Sequence, residues 1–277
     1  MVVSLNPLAT MAPVPRVEFK FAAGDLATGT QRATVYRIVG NQTTRVRGAI
    51  DVYAAGGFAG IDTEAPFNVA IAYRAEMFGS TGASLGFTAQ ASTLVPFDGS
   101  VVHQPLDPTK AASVDLRPRF AASILRPFVG DIVYPIGSTV GVYIGSGRQG
   151  VTGVDLTVIT DSLADADAFA SVFGDEQRAQ LPVVCIRTQP RWRLPMPLFA
   201  AVLEPREERF DVDLGGETID WRMEGTQVRP PVEAIARALL TYADFEAAFA
   251  TYAAFEAAYL TYFAAESDFN KAGTATG

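Results

Sequence analysis

Apolar and polar positions alternate with period two through most of the first 230 residues, the spacing that sends successive side chains to opposite faces of a strand. Arg16–Phe21 (RVEFKF), Ala33–Val39 (ATVYRIV) and Arg45–Tyr53 follow it, separated by Gly-, Asn- and Thr-rich turns at residues 40–43 and 54–57. Asp62–Phe78 and Ser84–Ala91 continue it across a turn at residues 80–83. Short strands at this spacing predict a β-sandwich over residues 14–97, behind an N-terminal arm at 1–13. Residues 98–109, with prolines at 105 and 108, are expected to be a linker. A second β domain, a barrel or sandwich, is predicted over 110–230. Its strands are expected at Ser113–Arg117, Asp131–Pro135, Thr139–Gly145, Val151–Thr160, Val183–Arg187, Leu198–Leu203, Arg209–Leu214 and Thr218–Glu224. In the last of these, Ile219, Trp221 and Met223 share one face, and Asp220, Arg222 and Glu224 the other.

Only one segment of the second domain changes to helical period. In Ser162–Phe173, Leu163, Ala166, Phe169, Ala170 and Phe173 fall on one side. Asp161 or Ser162 can cap its start, Asp165 and Asp167 suit its positive end, and Gly174 can close it in the left-handed conformation.

From Thr241 the pattern changes again. TYADFEAAFA, TYAAFEAAYL and TYFAAESDFN are one ten-residue unit written three times, within a helical extension at 231–277. Its aromatic stripe is Tyr242, Phe245, Phe249, Tyr252, Phe255, Tyr259 and Tyr262, with a mean spacing of about 3.3 residues against the 3.6 of a straight helix. Either one helix carries a drifting stripe, or each Thr of the unit restarts a short helix as its N-cap, with Thr241 and Asp244 at capping-box spacing. The stripe is either packed on the chain's own β domain or docked on another protein. Docking is the favoured expectation, because so many aromatics at a chain end leave a large bare patch.

Composition removes most chemistries. The chain has 277 residues and is 49% apolar, enough for sizeable cores, and its net charge of −8 offers no basic face for nucleic acid. The single cysteine, Cys185, lies in an apolar run and is expected to be a buried hydrophobe. The single histidine, His103, is expected to be a packing or surface residue rather than a base. The first residues lack the basic and apolar regions of a signal peptide, and no run is long enough for a membrane span, so folding in a cytoplasm is expected. Gly145-Ser-Gly147-Arg-Gln-Gly150 matches a dinucleotide-binding spacing, but a strand rather than a helix follows it. It is expected to be a hairpin loop with positive-φ glycines. Asp165 and Asp167 point to different helix faces, and Asp211 and Asp213 share a solvent face, so neither pair suits acid–base work. No enzyme activity, catalytic residue, metal or cofactor is expected.

Two resemblances add to this reading. The stretch around Tyr73, with an acidic residue ahead of a loop and a Tyr-x-Ala strand after it, resembles the late strands of fibronectin type III domains. That likeness implies an inward tyrosine whose hydroxyl ties a corner. The chain as a whole resembles the minor tail proteins of long-tailed actinobacterial phages. The residues that carry this are Gly150–Thr160, the acidic helix after it, Val184-Cys-Ile-Arg-Thr188 and the Thr-Tyr-Ala-Asp repeat, from which Thr261-Tyr-Phe-Ala departs. The resemblance implies a tail-tube or distal-tail-like β-barrel with one packed helix and a hexameric ring. It implies a structural role at the virion tail tip after synthesis in the bacterial host cytoplasm, with other tail proteins as partners. A second reading is a carbohydrate-binding adhesin that contacts a host-surface glycan through Trp192, in a proline-rich loop. A third, the least favoured, is a cell-wall hydrolase.

Overall fold

The structure, a computed structural model, describes residues 3–11, 13–174, 180–189, 192–209, 215–231 and 240–275. The strand end expected at 210–214, with Asp211 and Asp213, and the segment 232–239 lie outside the described residues. The molecule is mostly β, with few and short helices.

The N-terminal unit is two antiparallel sheets packed face to face. Its strands are β1 (Ser4–Leu8), β2 (Arg16–Ala22), β3 (Arg32–Val39), β4 (Gln42–Arg45), β5 (Val52–Tyr53), β6 (Gly57–Asp62), β7 (Ile71–Phe78), β8 (Ser84–Phe87) and β9 (Ala91–Thr93). One sheet runs β1-β2-β6, the other β4-β3-β7-β8, with β5 beside β3 and β9 beside β7. The alternation of β2 explains the join. Val17, Phe19 and Phe21 are fully buried, Phe21 stacks on Phe58 at 4.8 Å, and Phe19 meets Tyr73 of the opposite sheet at 6.1 Å. The other face of β2 carries the Arg16–Glu18 ion pair at 3.0 Å. Among the described residues of the expected N-terminal arm at 1–13, a strand forms. Ser4–Leu8 pairs with β2 from Ser4↔Lys20 to Leu8↔Arg16, and as an edge strand it tolerates Pro7.

Asp62, at the end of β6, ties the two sheets. Arg37 of β3 donates to both its oxygens at 2.8 and 2.9 Å, the Tyr73 hydroxyl of β7 donates at 2.8 Å, and the Glu64 amide at 2.9 Å. All three side chains are buried.

The second unit begins with β10 (Ser100–Gln104) and β11 (Asp107–Leu116), which occupy the expected linker. Every residue of β10 is buried, and the two strands sit in the middle of the large sheet. The prolines do not prevent this: Pro105 is in the turn, and Pro108 falls in the bulge beyond His103, where no ladder bond is required. The remaining elements are β12 (Phe128–Val133), β13 (Val142–Arg148), β14 (Val154–Asp155), β15 (Val158–Thr160), α1 (Leu163–Val172), β16 (Val183–Arg187), β17 (Leu198–Ala201), β18 (Arg206–Arg209), β19 (Ile219–Arg222) and β20 (Glu224–Gln227). Nine strands form one sheet in the order β14-β20-β17-β16-β10-β11-β15-β19-β18. The sheet is strongly curled. Only Leu156 and Thr157 separate β14 from β15, only Met223 separates β19 from β20, and Leu156 N–H donates to the Met223 carbonyl at 2.9 Å across the gap.

Helix α1 lies on this sheet. Ser162 caps it, accepting from the Asp165 amide at 3.1 Å, and Gly174 ends it at φ 94°. Ala166, Phe169 and Val172 are buried, with Phe169 4.9 Å from Trp221. Leu163, expected on the buried face, is exposed. Ile219, Trp221 and Met223 point into the core as expected.

The C-terminal repeat folds as three short helices, α2 (Tyr242–Ala248), α3 (Tyr252–Ala258) and α4 (Tyr262–Glu266). Each starts at the threonine. Thr251 and Thr261 hydroxyls accept from the Ala254 and Ala264 amides at 3.2 and 3.1 Å, while Asp244 accepts from the Thr241 amide at 2.8 Å. Restarting every ten residues removes the drift that a single helix would impose on the stripe. Phe245, Phe249, Phe255 and Tyr259 then turn toward one another, with Phe255–Tyr259 at 5.2 Å and Phe249–Tyr259 at 5.6 Å. The repeat rests on the sandwich through α4 and the short turn at Phe269, where Ala265 and Phe269 are buried and Phe263 covers Gly57. A Cβ at Gly57 would stand 2.9 Å from the Phe21 carbonyl and 3.3 Å from the Phe263 ring, at φ +109°.

Candidate functional site

Two surfaces stand out for the apolar and aromatic side chains they expose. The first is an arm. β12 and β13 pair only with each other, through Ile132↔Tyr143 and Val133↔Val142, and every residue of both strands is exposed. Eleven of the twenty-two exposed large apolar side chains among the described residues lie between Leu125 and Ile144. Pleat alternation places Phe128, Ile132 and Tyr143 on one face and Val133, Val142 and Ile144 on the other, so both faces are apolar. Contiguous apolar surface of this kind is more than a monomer normally leaves exposed.

The arm is stiffened from within. The Tyr143 ring lies across Gly130, where a Cβ would come within 2.5 Å of it, and its hydroxyl reaches the Ser146 carbonyl at 2.9 Å. At the base, Leu125 bridges Thr152 and the Arg126 guanidinium donates to the Arg193 carbonyl at 2.9 Å. The G-x-G-x-x-G stretch belongs here. Gly145 and Gly147 are inside β13, not in a hairpin loop, and neither has a positive φ. Gly145 is required by proximity instead: a Cβ would lie 2.4 Å from the Val129 carbonyl on the facing strand.

The second surface is the outer side of the repeat. Of the seven aromatics expected to dock, Phe245, Phe249, Phe255 and Tyr259 are half-buried in their own cluster. Tyr242, Tyr252 and Tyr262, the first residue of each helix, are exposed. The Tyr259 hydroxyl donates to Asp268 at 2.6 Å.

Trp192 is half-buried, its ring edge-on to Phe120 at 5.4 Å and packed against the core of the second unit. Cys185 is fully buried on β16, and burial pushes its thiol far above the usual range. Beside it, Arg187 is also fully buried. It donates to the Ala65 carbonyl at 3.2 Å, lies over Phe67 at 4.6 Å, and is brought down to about 10 by burial. These contacts join the second sheet to the loop after Asp62 in the sandwich. Among the described residues there is no group of three His, Cys, Asp or Glu placed to hold a metal, and no helix is long and apolar enough to cross a membrane.

His103 is inside the fold, not at its surface. Both ring nitrogens are buried without a hydrogen-bond partner. Burial, reinforced by the charges of Arg187 and Arg47, holds its pKa well below the ordinary value. The unfolded chain therefore takes up a proton below about pH 6.5 that the folded chain refuses. Stability is expected to fall by about 1.4 kcal/mol for each further unit of acidity from this group alone. His103→Leu leaves no ring nitrogen unpaired, so it should cost little at neutral pH. In urea unfolding compared between about pH 7.5 and about pH 5, the native protein should lose about 2 kcal/mol more than this variant. Equal losses would mean that His103 protonates in the folded state.

Comparison with protein-family models finds no match to this chain, and comparisons with curated proteins and with solved structures find none either.

Proposed function

We propose that the chain is a structural, non-catalytic component of a phage virion tail tip, which forms or decorates a ring at the distal end of the tail tube and docks other tail proteins. The observation that carries this reading is the apolar arm β12–β13. Its two outer edges and both faces are bare, and an isolated two-stranded hairpin of this kind is marginal in water unless covered. A second copy is the natural cover, because the β12 edge of one arm can pair with the β13 edge of the next. Such head-to-tail contacts close into a ring when the rotation allows.

The rest of the architecture supports the same reading. A three-stranded β1-β2-β6 sheet against a β4-β3-β7-β8 sheet, with Tyr73 buried and its hydroxyl on Asp62, suits a fibronectin type III-like sandwich. The curled nine-stranded sheet with α1 laid on it suits the barrel of a tail-tube or distal tail protein. In a ring, the sandwich would face outward and the repeat would meet a neighbouring protein. Light scattering and negative-stain microscopy of the purified full chain test this. The expected result is rings with about six times the 29.5 kDa mass of one chain. A monomer at high concentration would overturn the ring.

A further inference from the structure

The three units of the repeat place the same two residues on their solvent side. Tyr242 and Glu246, Tyr252 and Glu256, and Tyr262 and Glu266 are four apart on α2, α3 and α4, and all six side chains are exposed. The pairs converge. Tyr242 and Tyr252 line one cleft, and Tyr242 and Tyr262 line another. A cleft of about 320 Å³ separates the first two units, walled by Tyr242, Glu246 and Tyr252 and floored by Phe245, Phe249 and Phe255.

The charge around this face is one-sided. From Leu240 onward the chain has five carboxylates, Asp244, Glu246, Glu256, Glu266 and Asp268, against one cation, Lys271. Lys271 already lies over the Phe249 ring at 5.6 Å, and Lys20 of the sandwich lies over Phe269 at 6.0 Å. The aromatic unit thus accepts cations wherever the chain supplies them, and its tyrosine side presents rings and carboxylates. We propose that Tyr242, Tyr252 and Tyr262, with Glu246, Glu256 and Glu266, form a docking face for an arginine-bearing polypeptide segment. A planar guanidinium stacks on a tyrosine ring while its N–H groups reach the carboxylate one helical turn away, a pairing that lysine makes less well. This assignment stands on the six side chains and does not depend on the tail-tip reading.

The test uses the full chain and a fluorescent octa-arginine peptide, followed by anisotropy. Saturable binding is expected, and the triple change Tyr242→Ala, Tyr252→Ala, Tyr262→Ala should weaken it about thirtyfold at unchanged net charge. The corresponding Tyr→Phe triple should stay near the parent, because the ring is kept. Glu204→Gln, Glu207→Gln and Glu208→Gln together remove three charges, two exposed and one half-buried, from strand β18 and its flank, and should also leave binding near the parent. Absence of saturable binding, binding unchanged in the alanine triple, or equal weakening by the three glutamines would each overturn the proposal. Binding of a chito-oligosaccharide that the alanine triple abolishes, with none of the peptide, would reassign the face to glycans.

Discussion

Asp62→Ala is expected to lower the stability of the protein by about 3–5 kcal/mol. The Asp62 side chain is 2% exposed, that of Arg37 5%, and Tyr73 is fully buried. Burial opposes the charge on Arg37, but Asp62 and Glu64 outweigh it and keep the guanidinium ionised. Removing Asp62 strands that charge in the core and leaves the Tyr73 hydroxyl and the Glu64 amide without the acceptor they use. The loss should spread along the adjoining loop. Glu64 pairs with Arg47 at 2.7 Å, and Ala65 and Phe67 receive Arg187 from the second sheet. Urea unfolding of the purified variant measures the effect. The double change Arg37→Met, Asp62→Leu should recover much of it, since replacing both members of a buried pair removes the stranded charge as well as the attraction. A loss below about 1 kcal/mol for Asp62→Ala would mean that water reaches Arg37, at odds with its burial.

What the sequence disclosed and what it hid divide along physical lines. Where one face is buried and the other is wetter, alternation is a reliable guide, and β19 follows it residue by residue, while in β2 the apolar face is found by it although Arg16 and Glu18 on the other face are buried as a pair. Local hydrogen-bonding signals also worked: Ser162 and Gly174 bound α1, and the threonines of the repeat start its helices. β1 was hidden by its Pro7, and β10 with the start of β11 by Pro105 and Pro108, which signal a break but are tolerated at an edge, in a turn or in a bulge. The charged seam of Arg37, Asp62, Arg47, Glu64 and Arg187 was hidden because its members come from strands far apart in sequence. The repeat's rings were found, but not which of them stay exposed, because that depends on how three helices turn against each other. The arm was half visible. Asp131–Pro135 and Thr139–Gly145 were expected as strands, yet Val142, Tyr143 and Ile144 in succession fit a strand covered on both faces. Among the described residues nothing covers them, and all three are exposed.

That mismatch makes the arm the decisive place to test the proposed assembly without perturbing the fold. Ile132 and Ile144 are 56% and 60% exposed and sit on opposite faces of the hairpin, so replacing both with lysine should shift monomer stability by no more than about 0.5 kcal/mol each. In a contact between copies the same lysines would be drawn into an apolar interface without partners. Association should weaken by about 2–4 kcal/mol, or roughly thirtyfold to a thousandfold in the dissociation constant. Light scattering across a dilution series should then show the doubly substituted protein falling to monomer mass at concentrations where the parent stays assembled, with the same urea midpoint for the fold. Swapping each isoleucine for valine, which keeps the apolar surface, should leave the assembly intact. An unchanged mass in the lysine variant would move the proposed ring contact away from the arm, toward the edges of the large sheet such as β18, whose outer side has no neighbour among the described residues. A lowered urea midpoint would instead show that the arm packs on its own chain.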